Sequence, residues 1–322
     1  MQWADRVGRR IKLRDLHVLV AVANAGSISK AAERLAISHP VVSRTISDLE
    51  HTLGVRLFNR SSHGVEPTMY GRALLDCGVA VFDDLRRGVQ QIEFLSDPTS
   101  GEVRVASYDV MMAGLVPAII DRLARKHPKM SFQAVHHGDP HFMRVALRER
   151  KVDLVISRRM PEIEEDDLVK EPLFHDPILV VAGPGSRWIP RRKIALPELL
   201  AEPWIVPVAE TTIGMLFAKS FRSLGLELPR ATVMSNSILL RNRLLATGRY
   251  LGFLPRSMLQ FDAQLAVKIL PVELPDIVQP VELLTLKNRL LSPAVNLFVE
   301  CTREVARSIG GKPSRPRPVS KH

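Results

Sequence analysis

The sequence predicts an α/β protein in three parts: an N-terminal winged helix-turn-helix, a long linker helix and a two-lobed α/β domain. Three observations support this fold class. Residues 1–68 carry three short helical patterns followed by two short strand-like segments. Residues 69–96 contain no proline and repeat apolar residues close to a heptad spacing. From Glu102 onward, short strand-like runs alternate with helical stretches, as in parallel sheets covered by helices.

The composition is that of a globular protein with two or three domains. The chain has 322 residues, of which 46% are hydrophobic and 25% charged, and one domain takes roughly 100–200 residues. No apolar run approaches the ~20 residues that cross a bilayer, and residues 1–6 lack the apolar core of a secretory signal. We therefore expect a soluble, cytoplasmic protein without a membrane partner. The two cysteines, Cys77 and Cys301, stand far apart, which excludes a disulfide framework and a cysteine-based zinc site.

The positive charge is concentrated at the two ends of the chain. The net charge is +11; residues 1–68 carry 10 basic and 6 acidic side chains, and residues 303–322 carry 6 basic and 1 acidic. The proline-rich basic segment 309–322 is predicted to be a disordered tail. It either adds non-specific affinity for polyanions or is a solvated tail without a specific role.

The N-terminal segment is predicted to form three short helices. They cover residues 13–24, 30–35 and about 39–51. Ser29 is the predicted N-cap of the second helix and Ser38 that of the third, because a serine oxygen accepts from the first backbone N–H groups of a helix. Pro40 fits the first turn of the third helix. The residues of this helix that are predicted to face inward are Val41, Val42, Ile46 and Leu49.

The polar face of the third helix has the chemistry of a DNA reader. Two short helices joined by a tight turn form a helix-turn-helix, whose second helix enters the major groove. Arg44 can fork onto a guanine or a phosphate, and Ser43 suits phosphate oxygens. A small helical bundle with a solvated polar face is the alternative. The candidate DNA-contacting residues of the helices are Ser29, Ser38, His39, Pro40, Ser43, Arg44 and Ser47.

A wing is predicted after the third helix. Residues 53–68 have the pattern of a turn, a short strand, a loop and a return strand. Arg60 and His63 lie near the tip of this wing, where they can touch the DNA backbone or the minor groove. They complete the candidate DNA-contacting set.

These residues form a dense motif over about 65 positions. Its most specific parts are Ala31-Ala32-Glu33-Arg34-Leu35, Ser38-His39-Pro40-Val41-Val42-Ser43-Arg44, Leu53-Gly54, Leu57-Phe58, Pro67-Thr68 and Gly71-Arg72-Ala73-Leu74-Leu75. The motif resembles the winged helix-turn-helix of LysR-type transcriptional regulators, which implies that the chain binds double-stranded promoter DNA and contacts RNA polymerase. The family commonly has glutamine before the proline of the third helix, where this chain has His39. Because that position points at bases in the family, the operator sequence does not carry over.

Residues 69–96 are predicted to be a dimerising linker helix. The apolar stripe of this helix is narrow, so the helix cannot bury itself alone and is expected to pair with a second copy. The stripe consists of Leu74, Cys77, Val81, Leu85, Ile92 and Leu95. Cys77 fits it as a small apolar residue rather than as a redox group. The resemblance agrees, since family members dimerise through this helix, and it implies a tetramer built as a dimer of dimers.

A two-lobed α/β domain is predicted to follow. Lobe I comprises residues 97–177 and 277–308, and lobe II comprises residues 178–276. The predicted strands are 103–107, 132–136, 152–157, 178–182, 204–208, 231–235, 250–254 and 281–287, and the predicted helices lie around 112–127, 141–149, 214–224, 237–247 and 293–307. This layout is similar to the LysR-type effector domain, a periplasmic-binding-protein-like fold whose chain crosses twice between the lobes.

The cleft between two such lobes is the predicted effector site, because ligands of open α/β sheets bind beyond the carboxyl ends of the strands. The candidate effector-binding residues there are Ser107, Tyr108, His137, Arg158, Thr211, Thr212, Ser235 and Asn236. A helix N-terminus near an arginine favours an anion such as a carboxylate. A ring of hydroxyl and amide groups equally suits a sugar-like polyol, so both ligand classes stay open.

Catalytic, metal and cofactor sites have little support in the sequence. His136, His137 and His141 suggest a metal site, but no cysteine or glutamate stands at a ligand spacing from them. The chain has no G-x-x-x-x-G-K phosphate loop and no G-x-S-x-G elbow. We therefore expect a protein that is not an enzyme, with a small-molecule effector and no cofactor. A structural DNA-binding protein whose lobes serve only for oligomerisation is the alternative.

Together these patterns predict a LysR-type regulator whose effector domain alters the binding and bending of promoter DNA. We expect it to work in the bacterial cytoplasm, associated with the nucleoid. Its partners are then promoter DNA, the effector, further copies of itself and RNA polymerase.

Overall fold

The computed structural model describes residues 10–61, 64–159, 165–261, 266–272, 274 and 278–309. His63 of the predicted wing tip and residues 310–322 of the predicted tail therefore lie outside the described residues. The chain divides into two compact units, Met1–Val89 and Gln90–His322. Within the described ranges, no helix is both long and apolar enough to cross a membrane.

The first unit is a winged helix-turn-helix, as predicted. Its elements are α1 (Leu13–Ala25), α2 (Ile28–Leu35), α3 (His39–Leu53), β1 (Phe58–Ser61), β2 (Gly64–Pro67) and the greater part of α4 (Met69–Ser96). Gly26 ends α1 with φ of 61°, which glycine adopts without strain. Because the chain turns there, Ser27 already has the extended backbone of an N-cap and α2 begins at Ile28. The prediction that Ser29 caps α2 was wrong, and Ser29 lies in the first turn.

The core of the first unit forms where its helices meet. Ala31 of α2 and Val42 of α3 are fully buried, and the small alanine lets the two helices approach closely. The predicted inward face of α3 is confirmed at Val42, Ile46 and Leu49. It is wrong at Val41, which is 38% exposed. Neighbouring residues of a helix point roughly 100° apart, so Val41 is turned away from the face that Val42 buries.

Hydrogen bonds hold the wing beside α3. β1 and β2 pair antiparallel. Glu50 of α3 accepts at Oε1 from the backbone N–H groups of Leu57 (2.7 Å) and Phe58 (3.2 Å). At the far end of the wing, Thr68 donates from Oγ1 to the carbonyl of Arg56 at 2.7 Å. The wing and the helix that precedes it therefore form one packed piece.

The second unit contains both lobes of the α/β domain. Its elements are the end of α4, β3 (Ser100–Ser107), α5 (Asp109–Met112), α6 (Leu115–Lys126), β4 (Lys129–His136), α7 (Pro140–Arg148), β5 (Leu154–Arg158), β6 (Leu168–Ala182), a short 3₁₀ helix (Leu196–Leu199), β7 (Trp204–Val206), α8 (Thr212–Ser223), β8 (Ala231–Met234), α9 (Ile238–Leu245), β9 (Leu251–Pro255), α10 (Arg256–Phe261), β10 (Lys268–Ile269), β11 (Val278–Leu286) and α11 (Pro293–Ile309). Lobe I packs around Ile119 and Phe298, and lobe II packs around Trp204 and Phe221. All four of these side chains are fully buried.

The strands of the two lobes follow one another in the order β4-β3-β5-β11-β6-β9-β7-β8, with β10 paired to β6. β3 runs parallel to β4 and β5, and β7 runs parallel to β8 and β9. The predicted parallel arrangement is thus confirmed for the strands that alternate with helices. β6 and β11 pair antiparallel with their neighbours, because they stand where the chain passes between the lobes.

β6 is longer than predicted and belongs to both lobes. It pairs with β11 through Leu168–Pro177 and with β9 through Ile178–Ala182. The sequence predicted only residues 178–182. In the structure, β6 also contains Pro172, which pairs with Glu282 at the register shift between Val281 and Glu282. A bulge tolerates a residue that cannot donate a ladder hydrogen bond.

The helix predicted over 112–127 is two helices in the structure. α5 ends at Met112 and α6 begins at Leu115, with Gly114 between them in a non-helical conformation. Pro117 explains the break. A proline is tolerated in the first turn of a helix but not in its interior, so the helix that holds Pro117 has to begin just before it.

Candidate functional site

The first turns of α3 present a polar surface in the first unit. The exposed members of the predicted set are Ser29, Ser38, His39, Pro40, Arg44, Ser47 and, on β1, Arg60. Ser43 is half-buried. Ser38 has the extended backbone of an N-cap, but its hydroxyl makes no capping hydrogen bond. A helix N-terminus with exposed hydroxyl and guanidinium groups suits phosphate oxygens and the base edges of a major groove.

Val41 adds an apolar group to this surface, and it was not among the residues predicted from the sequence. It is 38% exposed and stands next to Pro40 at the start of α3. An exposed methyl group in this place suits contact with the C5-methyl group of thymine. The spacing of Val42, Ile46 and Leu49 was the signal for it, since that spacing already defines the buried face and leaves Val41 outside.

α4 carries an exposed apolar stripe along its second half. Leu85, Val89, Ile92 and Leu95 are 48%, 54%, 66% and 72% exposed. Their spacing of three and four residues places them on one side of the helix. Cys77, expected in the same stripe, is also exposed. This stripe is the candidate surface for a second copy of the chain.

A cavity of about 160 Å³ lies in the second unit, at the carboxyl ends of the parallel strands. Four of the predicted effector-binding residues line it. Tyr108 and Arg158 come from lobe I, and Thr211 and Asn236 come from lobe II. Because both lobes contribute, a ligand in this cavity touches both of them.

Three predicted effector-binding residues lie outside the cavity lining. Ser107 is fully buried and donates from Oγ to the carbonyl of Ile156 at 2.6 Å. His137 stacks on a phenylalanine ring. Ser235 accepts at Oγ from the backbone N–H of Ser237 at 3.1 Å, which shapes the turn before α9. Successive residues of a strand point to opposite faces, so the residue next to a cavity-facing one is often turned away.

The polar oxygens of Thr211 and Asn236 are engaged within the protein. Thr211 is the N-cap of α8; its Oγ1 donates to the carbonyl of Val208 at 2.6 Å and accepts from Gly214 N at 3.3 Å. Asn236 accepts at Oδ1 from Val208 N at 3.1 Å. The Thr211 hydroxyl, which was expected to point at a ligand, is thus also used to cap α8 at the cavity wall. The side chain of Thr212 lies outside the described part of the chain.

Arg158 is held by a carboxylate. Its Nη2 lies 3.0 Å from Asp176 Oδ2, and Asp176 also accepts from Ser257 Oγ at 2.7 Å. Burial lowers the pKa of Arg158, although the charge of Asp176 opposes this change. Burial also raises the pKa of Tyr108 to about 12, so Tyr108 offers the cavity a neutral phenol at physiological pH.

Arg241 of α9 also lines the cavity and was not predicted from the sequence. It is 8% exposed, and neither Nε nor Nη2 of its guanidinium has a hydrogen-bond partner among the described residues. Burial lowers its pKa to about 10, against the opposing charge of Asp109, so the group is still cationic at neutral pH. Only residues directly after strands were predicted to bind the effector, whereas Arg241 follows the cavity residue Ile238 by three positions on one helix face.

The histidines suspected of metal binding have other partners. His136 Nε2 lies 2.9 Å from Asp109 Oδ1 at the cavity. His141 packs edge-on against Phe142. Throughout the described ranges there is no group of three or more His, Cys, Asp or Glu side chains that could hold a metal ion.

Two family models match the chain. The model described as "Bacterial regulatory helix-turn-helix protein, lysR family" matches residues 13–72, and the model described as "LysR substrate binding domain" matches residues 96–307. The uncharacterized HTH-type transcriptional regulator YdcI of Escherichia coli K12 is 26% identical over 297 residues, which are 92% of this chain and 96% of YdcI. The HTH-type transcriptional regulator GbpR of Azospirillum brasilense is also 26% identical, over 91% of this chain and 86% of GbpR.

Solved structures show the same fold. A full-length OxyR variant from Pseudomonas aeruginosa has a TM-score of 0.64 at 22% identity and covers 96% of this chain and 99% of its own. Full-length CbnR in complex with its target DNA has a TM-score of 0.53 at 20% identity and covers 92% of this chain and 100% of its own. With these matches over both units, the chain belongs to the LysR family of DNA-binding transcriptional regulators, which are not enzymes, and it carries the substrate-binding domain of that family.

Proposed function

We propose that this regulator responds to a small molecule in the cavity by changing how it binds and bends promoter DNA. It acts as a homodimer, assembles further into a tetramer and contacts RNA polymerase in the bacterial cytoplasm. The cavity carries the proposal, because its wall is shared between the lobes, with Tyr108 from lobe I and Asn236 from lobe II. The small molecule is itself the signal, so the proposal requires no cofactor.

The way the chain connects the lobes suits a change of the angle between them. The chain passes from lobe I to lobe II within β6 and returns before β11. A ligand that touches both lobes favours the arrangement in which both walls of the cavity reach it. If this arrangement binds DNA with a different affinity, ligand and DNA binding are linked by the same free energy in both directions.

The exposed stripe on α4 supports the homodimer. Four apolar side chains between Leu85 and Leu95 are about half or more exposed, and a narrow stripe at this spacing is the pattern of a helix that pairs with another helix. Paired copies place two recognition helices in one particle. A symmetric dimer then binds two half-sites one helical turn apart, ~34 Å centre to centre.

Replacing both Ile92 and Leu95 by glutamate is expected to convert the dimer into a monomer at micromolar concentration. Two negative charges in the stripe oppose their counterparts in the second copy and remove apolar area from the contact. Light scattering coupled to size-exclusion chromatography measures the mass. The control is Gln91→Glu, which adds a charge at an exposed position of the same helix outside the stripe. A wild-type monomer, or a variant that is still dimeric, contradicts the assignment of the stripe.

A thermal-shift screen of the full-length protein tests the sensing function. A compound that binds only the native state stabilises it by about 2.7 kcal/mol at a concentration 100-fold above its Kd. For a unit of this size, that is a rise of several degrees in Tm. We expect such a rise, dependent on concentration, for one chemical class among sugars, amino acids, aromatic acids and small organic acids. If no class raises Tm, the lobes serve for oligomerisation rather than for sensing.

A further inference from the structure

Arg241 buries a positive charge that no hydrogen bond of the described residues offsets. Its side chain lines the cavity and is more than nine-tenths buried, and its Nε and Nη2 are among the buried polar atoms of the described chain that have no hydrogen-bond partner. Burying a charge without a partner destabilises a fold. A buried cation beside a cavity is therefore best explained by a negatively charged ligand that accepts hydrogen bonds from it.

The other charged side chains at the cavity already have partners. The pairs are Arg158 with Asp176 at 3.0 Å, Arg159 with Glu282 at 2.6 Å, and His136 with Asp109 at 2.9 Å. Asp109 attracts Arg241 through its charge, but it does not reach the two nitrogens by a hydrogen bond. Among the described residues that line the cavity, Arg241 is therefore the cation whose Nε and Nη2 have no hydrogen-bond partner; both atoms are closed to solvent in this structure.

The two nitrogens of Arg241 without a hydrogen-bond partner among the described residues, Nε and Nη2, indicate the shape of the anion. Nε and Nη2 lie on the same edge of the guanidinium, and their N–H groups point the same way. Elsewhere in this protein the same edge grips a carboxylate with two bonds. Arg303 binds Glu171 in this way at 2.7 and 2.7 Å, and Arg148 binds Asp167 at 2.6 and 2.9 Å. A planar carboxylate is the group that fits such a fork.

The rest of the cavity wall is largely apolar. Val110, Met111, Ile178, Leu216 and Phe253 line it. The volume is about 160 Å³, close to that of a ~150 Å³ apolar cavity that holds one benzene molecule. The ligand body beside the anionic group is therefore compact and apolar.

We propose that the cavity binds a compact monocarboxylate of about six to ten non-hydrogen atoms. Its carboxylate is held by two hydrogen bonds from Arg241, whose guanidinium turns toward it, and its apolar body lies against Val110 of lobe I and Phe253 of lobe II. This inference rests on the proposed function, because it gives the ligand class of the same sensing cavity. It favours the anion over the sugar-like polyol that the sequence left open. The oxygens of Thr211 and Asn236, which a polyol would use, already bond Val208.

Matched pairs of acids and amides test whether the ligand has to carry a negative charge. The full-length protein is titrated with benzoate, cyclohexanecarboxylate and 4-methylpentanoate, and with the primary amide of each acid, at constant sodium chloride. We expect at least one acid to raise Tm with concentration, and its amide, which has the same shape without the charge, to raise it much less. The carboxylate assignment is overturned if acid and amide act equally, if only sugars act, or if none of the acids acts.

Two variants of α9 test whether Arg241 is the residue that binds the carboxylate. Arg241→Met is expected to weaken binding of the active acid by about 10- to 100-fold. Arg243→Met makes the same change two residues further along α9, at an exposed position outside the cavity lining, and is expected to leave binding unchanged. Arg241→Gln provides a second uncharged side chain in case the methionine packs badly.

The stability of the ligand-free variants separates a ligand-binding role from a structural one. Because the two uncharged Arg241 variants remove a buried cation whose Nε and Nη2 have no hydrogen-bond partner among the described residues, at least one of them is expected to melt at the same or a higher temperature than the wild type. A lower Tm in both shows a structural role and overturns the assignment. If a sugar raises Tm equally in the wild type and in the Arg241 variants, the cavity still senses a small molecule, but the proposal that this molecule is a carboxylate is overturned.

Discussion

Replacing Arg44 by alanine lowers the affinity for the operator by about 1–3 kcal/mol and broadens the range of sequences bound. Arg44 is exposed on α3, and the first turns of a recognition helix reach the base edges of the major groove. Its guanidinium can make two parallel hydrogen bonds to a guanine. Removal of a base contact lowers the preference for one base at one position of the operator. Removal of a phosphate contact instead weakens binding to all sequences alike.

Selection of bound duplexes from a random pool measures both effects. The wild type is expected to enrich an imperfect inverted repeat, and Arg44→Ala is expected to lose preference at one position of each half-site. Arg125→Ala is the matched control, because it removes the same charge from an exposed arginine of α6 in the second unit. An Arg44 variant with the affinity and the preference of the wild type would refute the role of this residue.

Replacing Asp153 by alanine is expected to lower the free energy of unfolding of the second unit by about 3–5 kcal/mol. The carboxylate is almost fully buried. It accepts from Arg104 N and Nη2, both at 2.9 Å, and from Arg289 Nη2 at 3.2 Å. The side chain of Arg289 is 0% exposed. Without the carboxylate, the buried guanidinium of Arg289 and the partly buried guanidinium of Arg104 both lose a counter-charge.

Urea unfolding, followed through the fluorescence of the buried Trp188 and Trp204, measures this loss. Asp167→Ala serves as the comparison, because its carboxylate is 47% exposed and pairs with the partly exposed Arg148. A surface pair contributes about 0–1 kcal/mol. If Asp153→Ala and Asp167→Ala lower the free energy of unfolding by the same amount, the buried carboxylate of Asp153 stabilises the second unit no more than a surface carboxylate does.

The same carboxylate predicts how stability depends on pH. Burial alone would raise the pKa of Asp153, but the hydrogen bonds and charge of Arg104 outweigh burial and hold the pKa below its ordinary value of 3.8. Its contribution is therefore complete above pH 3.8 and is lost as the pH falls through the lowered pKa of the folded state. Unfolding at pH 7 and at a series of lower pH values is expected to show a smaller acid-induced loss for Asp153→Ala than for the wild type.

The DNA-binding unit was largely predictable because its signals are local. Gly26 and Gly54 end helices, Pro40 sits in a first turn, and the spacing of the buried α3 residues follows the helical repeat. Its errors were local as well. Ser29 was predicted to be the N-cap, although the turn at Gly26 places Ser27 at that position, and Val41 was predicted to be buried.

The cavity was predictable in its place but not in its chemistry. The rule that ligands bind at the carboxyl ends of strands led to Tyr108 and Arg158. Which of the neighbouring groups are already satisfied depends on contacts distant in sequence, such as that of Arg158 with Asp176. Thr211 lines the cavity and also caps α8, while Arg241 gave no local signal. That its Nε and Nη2 have no hydrogen-bond partner in the described part of the chain becomes visible only once lobe II is folded.

The most direct test of the central claim is the bend of operator DNA with and without the ligand. A duplex from the selection experiment, labelled at its two ends, reports its end-to-end distance by energy transfer when the full-length protein is bound. We expect a saturating amount of the compound that raises Tm to change this distance or the DNA affinity, and we expect the change to disappear when a variant no longer binds the compound. The same distance and the same affinity at saturation would contradict the coupling between cavity and DNA.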